Sequence, residues 1–458
     1  MKVIICGAGQ VGYNIARYLA EQKNDVTVID RSAKLIRKIG ELLDVQAIEG
    51  HASDPGLLEQ AGAADADMIV AVTYSDEVNM VACQIAHSLF NVPTKIARIR
   101  DQSYLDPRWQ DLFTRDNLPI DVIISPEVEV AEAIHRRLEV PGAFDSIPFV
   151  DDRVRVLGMW LDERCPVVDT PLRQLTELFP DLRVRVLAIL RGEKLFTPSG
   201  DDQMEVGDGV YIATETRNIA RAMGVFGHEE EVARRIVIIG GGSVGLFLAQ
   251  RLEARSPRLN VKIIEHDEER AAFVADRLGR TVVIHGDALD GNIQREANVP
   301  EAETVVSVTN DDEVNIISCL LARRAGRART MALINNPDYG PLLVSLGIDV
   351  RIDPREMTVS TILRHIRRGR IRDLHAIRDG AAEIIEAEAL EASALVGKTL
   401  RQIKIPRGVV IGAIMRAGEV IIPRGDTEFQ AGDRVVILAM SDAVKTVEQL
   451  FSVRLEFF

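Results

Sequence analysis

An apolar run, Val3 to Cys6, is stopped by glycines at positions 7, 9 and 12, and the arrangement returns far down the chain, where Ile236 to Ile239 lead into Gly240, Gly242 and Gly245. Behind each cluster a helical face begins, with Val11, Ile15 and Leu19 in the first copy and Val244, Leu248 and Leu252 in the second. A strand, a glycine turn and a helix start in this order suit a dinucleotide's pyrophosphate. The first glycine permits the tight turn, the second lets backbone approach phosphate oxygens, and the third lets helix and strand pack closely. The anion would rest on the free N–H groups and positive dipole end of the helix. This nominates Gly7, Ala8, Gly9, Gln10, Val11 and Gly12, and in the second copy Gly240, Gly241, Gly242, Ser243, Val244 and Gly245.

Each turn has an acid downstream. Asp30 closes the run Val26 to Ile29, and Glu265 closes Val261 to Ile264. An acid there accepts hydrogen bonds from a ribose 2′-hydroxyl and repels a 2′-phosphate. The repetition continues: Asp76-Glu77-Val78-Asn79 returns as Asp312-Glu313-Val314-Asn315, and Gly200-Asp201 and Gly207-Asp208 return as Gly425-Asp426 and Gly432-Asp433. One two-part unit is written twice. The expected fold is α/β: two Rossmann-like, doubly wound parallel-sheet domains, each followed by a small β-rich α+β domain. The expected boundaries are 1–139, 145–227, 233–370 and 373–458, with a charged linker from His228 to Arg235.

Ligands of such sheets bind beyond the carboxyl ends of the strands. That adds His51, Thr73, Tyr74 and Arg98 to the first site, and Asp287, Thr309 and Asn310 to the second. His51 reads as a turn residue near the adenine end rather than a base. Arg98 either reaches a phosphate or ribose or is a solvated charge at a strand end. Aligned on Tyr104 and Tyr339, Arg98 corresponds to Leu333, so the two sites are not equivalent: the second binds more weakly or prefers another nucleotide. The crossovers near Glu139 to Gly142 and Arg368 to Arg372 are hinge candidates. The run Arg364, His365, Arg367, Arg368, Arg370 and Arg372 is either a solvated crossover helix or a contact for a partner or anionic ligand.

A net charge of −14 argues against a phosphate-coating nucleic-acid binder. The four cysteines, Cys6, Cys83, Cys165 and Cys319, form no C-x-x-C pair, read as buried or idle thiols, and suggest no metal site. The uncharged stretch from Ile236 to Gln250 is shorter than a membrane span and holds four glycines, so no membrane crossing is expected.

With the glycine turns, Asp30 and Glu265, the repeated Val-Thr-x-x-Asp-Glu-x-Asn and a β module after each half, the chain resembles the tandem RCK (KTN) domain family, and among them the peripheral subunits of Trk-type potassium uptake systems. The resemblance implies a cytosolic gating subunit with no catalytic residues, docked on a membrane-embedded Trk-type transporter subunit at the cytoplasmic face of the inner membrane. It further implies assembly into a homotetrameric ring, and NAD(H) or ATP/ADP in the clefts altering ring shape and potassium transport. The alternatives are an NAD-dependent oxidoreductase, against which the missing Tyr-x-x-x-Lys stands, and a nucleotide sensor acting on another partner.

Overall fold

The computed structural model describes residues 1–179, 182–366, 371–378 and 380–451. They divide into two units, Met1–Glu129 with Pro354–Ile366, and Val130–Asp353 with Arg367–Phe458.

In the first unit, strands β1 (Lys2–Cys6), β2 (Asp25–Asp30), β3 (Gln46–Glu49), β4 (Met68–Ala71), β5 (Thr94–Arg98) and β6 (Val122–Ile124) form a parallel sheet in the order β3-β2-β1-β4-β5-β6. Helices α1 (Gln10–Glu21), α2 (Ala33–Leu42), α3 (Pro55–Gln60) and α4 (Asp76–Ser88) make the crossovers. Val3, Ile4 and Ile5 are all buried, without alternation, because helices cover both faces of a parallel sheet. The chain order reverses between β1 and β4, where Cys6 pairs with Ile29 on one side and Ala71 on the other. Ligands of open α/β sheets gather at such a switch point.

Helix α5 (Pro126–Glu139) leads into the second unit. There β7 (Ala143–Phe149), β8 (Val154–Trp160), β9 (Val184–Arg191), β10 (Lys194–Phe196) and β11 (Gly209–Glu215) form an antiparallel sheet in the order β10-β9-β11-β8-β7, with α6 (Leu172–Leu178) and α7 (Ile219–Val225). A second parallel sheet follows: β12 (Arg235–Ile239), β13 (Asn260–Glu265), β14 (Val282–His285), β15 (Thr304–Ser307), β16 (Arg329–Leu333) and β17 (Val350–Ile352), in the order β14-β13-β12-β15-β16-β17. Its helices are α8 (Ser243–Arg255), α9 (Glu268–Ala275), α10 (Gly291–Glu296), α11 (Asp312–Ala325) and α12 (Gly340–Leu346). Helix α13 (Pro354–Ile366) packs on α1 and β6 of the first unit. The last module comprises β18 (Ile371–Ile377), β19 (Ala382–Glu388), β20 (Val409–Arg416), β21 (Glu419–Ile421), β22 (Arg434–Met440) and α14 (Val444–Phe451).

The duplication extends to fine detail. Read from the other edge, the last sheet, β21-β20-β22-β19-β18, repeats the order of the first antiparallel sheet. Both modules carry bulges at matching places, at Tyr211/Ile212 and Ile411/Ala413, and at Ala143/Asp145 and Ile371/Asp373. A shared apolar core joins the two modules, with Leu187 and Ala213 of one beside Ala413 and Leu438 of the other.

Candidate functional site

Six helices of the parallel-sheet crossovers begin with a side chain that accepts from their own amides: Ser32, Asp54 and Ser75 in the first unit, and Asp267, Asp290 and Asp311 in the second. The two behind the glycine turns differ. Helix α1 starts at Gly9 and α8 at Gly242, with no side-chain cap and no acid in the first turn. Their leading N–H groups and dipole ends face outward unclaimed, the condition for holding an anion.

The glycines create that opening. Gly7 has φ +114°, and a methyl placed on Gly12 would fall 1.8 Å from the Gly7 carbonyl oxygen. One placed on Gly9 would meet no heavy atom within 4 Å. So the first and third glycines are fixed by packing, whereas the second fronts open space. The second copy repeats this, with Gly240 at φ +105°, a 2.0 Å overlap at Gly245 and an open Gly242.

Asp30 is aimed by the backbone. The Ala8 N–H donates to its Oδ2 at 2.6 Å and the Ser32 N–H to its Oδ1 at 2.8 Å. Each oxygen retains a further lone pair for a ribose hydroxyl. In the second cleft, Gly241 N–H donates to Glu265 Oε2 at 2.5 Å and Asp267 N–H to Oε1 at 2.9 Å. Glutamate is one methylene longer, and the loop is one methyl smaller. A Cβ at Gly241 would stand 3.0 Å from Glu265 Oε2 and 3.3 Å from its Cβ. The extra glycine of the second turn therefore makes room for the longer acid.

Thr73 lies against the first turn, its N–H 3.0 Å from where a Gly7 Cβ would stand, and Thr309 takes the same place beside Gly240. Both are held by an asparagine that was not among the site residues expected from sequence. Asn79 is fully buried: its Oδ1 accepts from Thr73 N–H at 2.8 Å and Thr73 Oγ1 at 2.7 Å, while its Nδ2 donates to Arg98 O at 2.9 Å. Asn315 does the same for Thr309 and Leu333. The equivalence of Arg98 and Leu333 is thus visible in the hydrogen bonding. Asp76 is also buried, and its Oδ2 accepts from the N–H groups of Arg100 and Asp101, both at 2.8 Å. The signal was the repeated Asp-Glu-Val-Asn itself, which sets the acid and the amide three residues apart on one helix face.

The clefts differ most at the ends of β5 and β16. Arg98 donates through Nη2 to Thr73 O at 2.7 Å, its buried Nε has no partner, and it forms no ion pair among the described residues. Burial, and then neighbouring Arg100, draw its pKa below the usual guanidinium range. Arg100 lies 5.4 Å over the exposed Tyr74 ring and pairs with Glu127 at 2.9 Å. Asp76 Oδ1 is likewise buried without a partner. In the second cleft Leu333 and Asn335 stand where Arg98 and Arg100 do, and Asn335 satisfies Asp312 through both its backbone N–H and Nδ2. The first cleft thus presents orphaned polar groups and two cations, while the second closes the same hydrogen bonds on itself. Arg270 of α9 reaches the second turn instead, its Nε donating to Gly241 O at 2.8 Å.

His51 and Asp287 follow Gly50 and Gly286, whose N–H groups donate to the carbonyls of Asp30 and Glu265. His51 is exposed, its Nδ1 2.8 Å from Ser53 Oγ. Gln10 and Asn310 are exposed as well, while Val11, Ser243 and Val244 are half-buried in the first helical turns. All four cysteines are buried and free, and burial pushes the Cys6 and Cys319 thiols up to about 12. Arg364 and His365 lie in α13, and Arg372 pairs with Glu388, its Nε 2.7 Å from Oε2; Arg367, Arg368 and Arg370 lie outside the described residues. Among the described residues no His, Cys, Asp and Glu group could hold a metal ion, and no helix is long and apolar enough to cross a membrane.

Two glycine-turn clefts on parallel sheets, each sheet followed by the same antiparallel module, define a tandem Rossmann-type protein. The TrkA-N domain model matches residues 3–126 and 236–354, and the TrkA-C domain model matches 161–227 and 384–452. The Trk system potassium uptake protein TrkA of Azorhizobium caulinodans is 51% identical over 458 residues, covering 100% of both chains. That of Halomonas elongata is 41% identical over 462 residues, again with 100% of both covered. The chain belongs to the TrkA family of Trk system potassium uptake proteins. It shares its fold with the GsuK RCK domain at a TM-score of 0.60 and 19% identity, over 98% of this chain and 94% of that one. A structure titled "GsuK channel bound to NAD" aligns at 0.60 and 18%, over 98% and 78%.

Proposed function

We propose that this chain is the nucleotide-binding regulatory subunit of a Trk-type potassium uptake system, acting at the cytoplasmic face of the membrane through a membrane-embedded partner. One observation carries the reading: twice in the chain, an uncapped glycine-led helix faces an acid already oriented by loop amides. The residues fit an adenine nucleotide. Gly7 to Gly12 would take the phosphates on backbone N–H groups, and Asp30 would accept from the ribose. In the first cleft Tyr74 offers an exposed ring and Arg98 a cation. Gly240 to Gly245 and Glu265 would do the same in the second. Bound there, NAD(H) or ATP/ADP would supply negative charge at the turn and hydroxyls at the acid; the GsuK channel, which shares this fold, is known bound to NAD.

No hydride chemistry enters this reading. The Thr73 hydroxyl and Asn79, which border the turn, are spent on holding the loop and the end of β5. What the clefts need is differential affinity for two shapes of an assembly, where about 1–3 kcal/mol per site shifts the balance. Calorimetric titration of the full chain with NAD+, NADH, ATP and ADP is the test, followed by potassium flux in vesicles holding a Trk-type transporter subunit. We expect two unequal classes of site, because the first presents Arg98, with its Nε unpartnered among the described residues, where the second has Leu333. Absence of heat with all four nucleotides, or flux indifferent to them, would overturn the assignment.

A further inference from the structure

Away from its own glycine turn, at the amino ends of β15, β16 and β17, the second unit holds a cleft of about 620 Å³. That is the size of a small-molecule site. One wall is aromatic: Phe144 and Trp160, with ring centroids 5.1 Å apart. Arg323, Arg327 and Arg329 line it too.

The chain's own repeat shows that both sets of residues are departures. Strand registers align Phe144 and Trp160 with Arg372 and Glu388, which form an ion pair in the last module. They align Gly158 and Gly209 with Glu386 and Arg434, paired at 2.6 Å. A Cβ on Gly158 would fall 2.4 Å from the Phe144 ring, and one on Gly209 2.9 Å from the Trp160 ring. Here glycines clear space for two rings tilted 43° to one another, where the other copy ties charges together. In the same lining, Arg323, Arg327 and Arg329 replace His87, Val92 and Thr94 of the first parallel-sheet domain.

The cleft's carboxylates are largely spoken for. Asp162 pairs with Arg164 at 2.7 Å, Glu303 with Arg235 at 2.8 Å, and Glu230 lies 3.4 Å from His228 and 3.6 Å from Arg164; Asp349 takes Arg323 at 3.7 Å, and Glu231 stays at the exposed rim. Arg327 and Arg329 have no ion pair among the described residues. Burial draws the Arg329 guanidinium down to about 10, with Asp349 and Glu230 acting the other way, and an incoming anion would favour its charged form.

We propose that this cleft is a third ligand site, taking a compact aromatic phosphate of the nucleoside monophosphate class. The ring lies on the Phe144–Trp160 wall and the phosphate meets Arg327 and Arg329. Arg329 also donates to Arg137 O at 3.1 Å and to Ala143 O, gripping both sides of the Val140–Gly142 crossover. Gly142, at φ +83°, sits where a Cβ would fall 2.6 Å from the His228 ring. Filling the cleft therefore bears directly on this crossover.

The chain has two tryptophans, so a full-length Trp109→Phe protein reports from Trp160 alone. We expect uridine 5′-monophosphate to change its emission saturably, with uridine and inorganic phosphate each at least tenfold weaker. Arg327 is exposed and makes no hydrogen bond or ion pair with another described residue, so Arg327→Gln should leave the melting temperature unchanged and weaken the titration about tenfold or more. No saturable change at millimolar nucleotide, an unchanged titration in Arg327→Gln, or phosphate alone binding as well would each overturn the proposal. Calorimetry with NADH on the same protein reads the glycine turns separately, so failure at one site is distinguishable from failure at the other.

Discussion

Glu265 and Gly241 are one solution to a problem that Asp30 and Ala8 solve another way. In each pair the loop N–H must meet a carboxylate oxygen, and the sum of acid length and loop bulk is what the backbone permits. Gly241→Ala alone should push Glu265 off the loop, since its Cβ would stand 3.0 Å from Oε2. Overpacking of this kind costs about 1–3 kcal/mol, so nucleotide affinity at the second cleft should fall roughly tenfold or more. Adding Glu265→Asp rebuilds the first cleft's pair and should restore it; calorimetry on the two variants checks both steps. A second acid is governed by burial. Glu383 is fully buried, and burial, with Glu448 adding to it, pushes its carboxyl up to about 8. The unfolded chain ionises this group near its ordinary value of 4.5, while the folded chain keeps it protonated until about pH 8. Its contribution to stability is therefore present below about pH 4.5 and lost as pH rises to 8. Glu383→Gln should flatten that slope, melting like the parent near pH 5 and at higher temperature at pH 8. The expected gain there is on the order of 2–4 kcal/mol, read from melts across the range.

At the level of elements, the helix that follows the fourth strand of each parallel sheet is what makes the cleft rigid. Through Asn79, α4 holds the Thr73 loop and the last carbonyl of β5 at once. Asn79→Ala would strand a buried amide and a buried carbonyl together. Urea denaturation should show a loss of about 2–4 kcal/mol, with weaker nucleotide binding at the first cleft only. This lock marks the boundary of what could be read from the amino acids. Glycine turns are legible because their chemistry lies in side chains that are absent, and the acids because they close an apolar run. Asn79 is not, because its partners are backbone groups as far away as Arg98 and become neighbours only when β4 and β5 pair. The repeat gave away both parallel sheets, yet β7 stayed hidden. Pro148 and the bulge at Ala143/Asp145 break its alternation, features tolerated because β7 is an edge strand. Nor does any periodicity reveal that α13 packs on α1 and β6, since an amphipathic helix declares an apolar face and not the sheet that will cover it.

For the molecule as a whole, duplication has left two similar surfaces as well as two similar clefts. Val81 on α4 and Ile317 on α11 hold the same place in the repeat, and both are apolar and nearly half exposed, at 45% and 44%. Trp109 in the first unit and Leu342 and Leu346 in the second are exposed too. Scattered apolar residues need no explanation, but matched ones kept through the divergence of two copies do. Like surfaces repeated along one chain suit head-to-tail association, which closes into a ring when the rotation permits. The homotetrameric ring that the family resemblance implies would use these faces. An aspartate at either position places a charge where an apolar contact is needed, at little cost to the folded monomer because the site is open. Ile317→Asp should then lower the mass seen by light scattering from four chains to fewer, with an unchanged melting temperature at low protein concentration and unaltered binding of the first nucleotide. A variant that keeps the parent's mass across the concentration range would remove α11 from the interface, and with it the argument that the repeat was retained to build a ring.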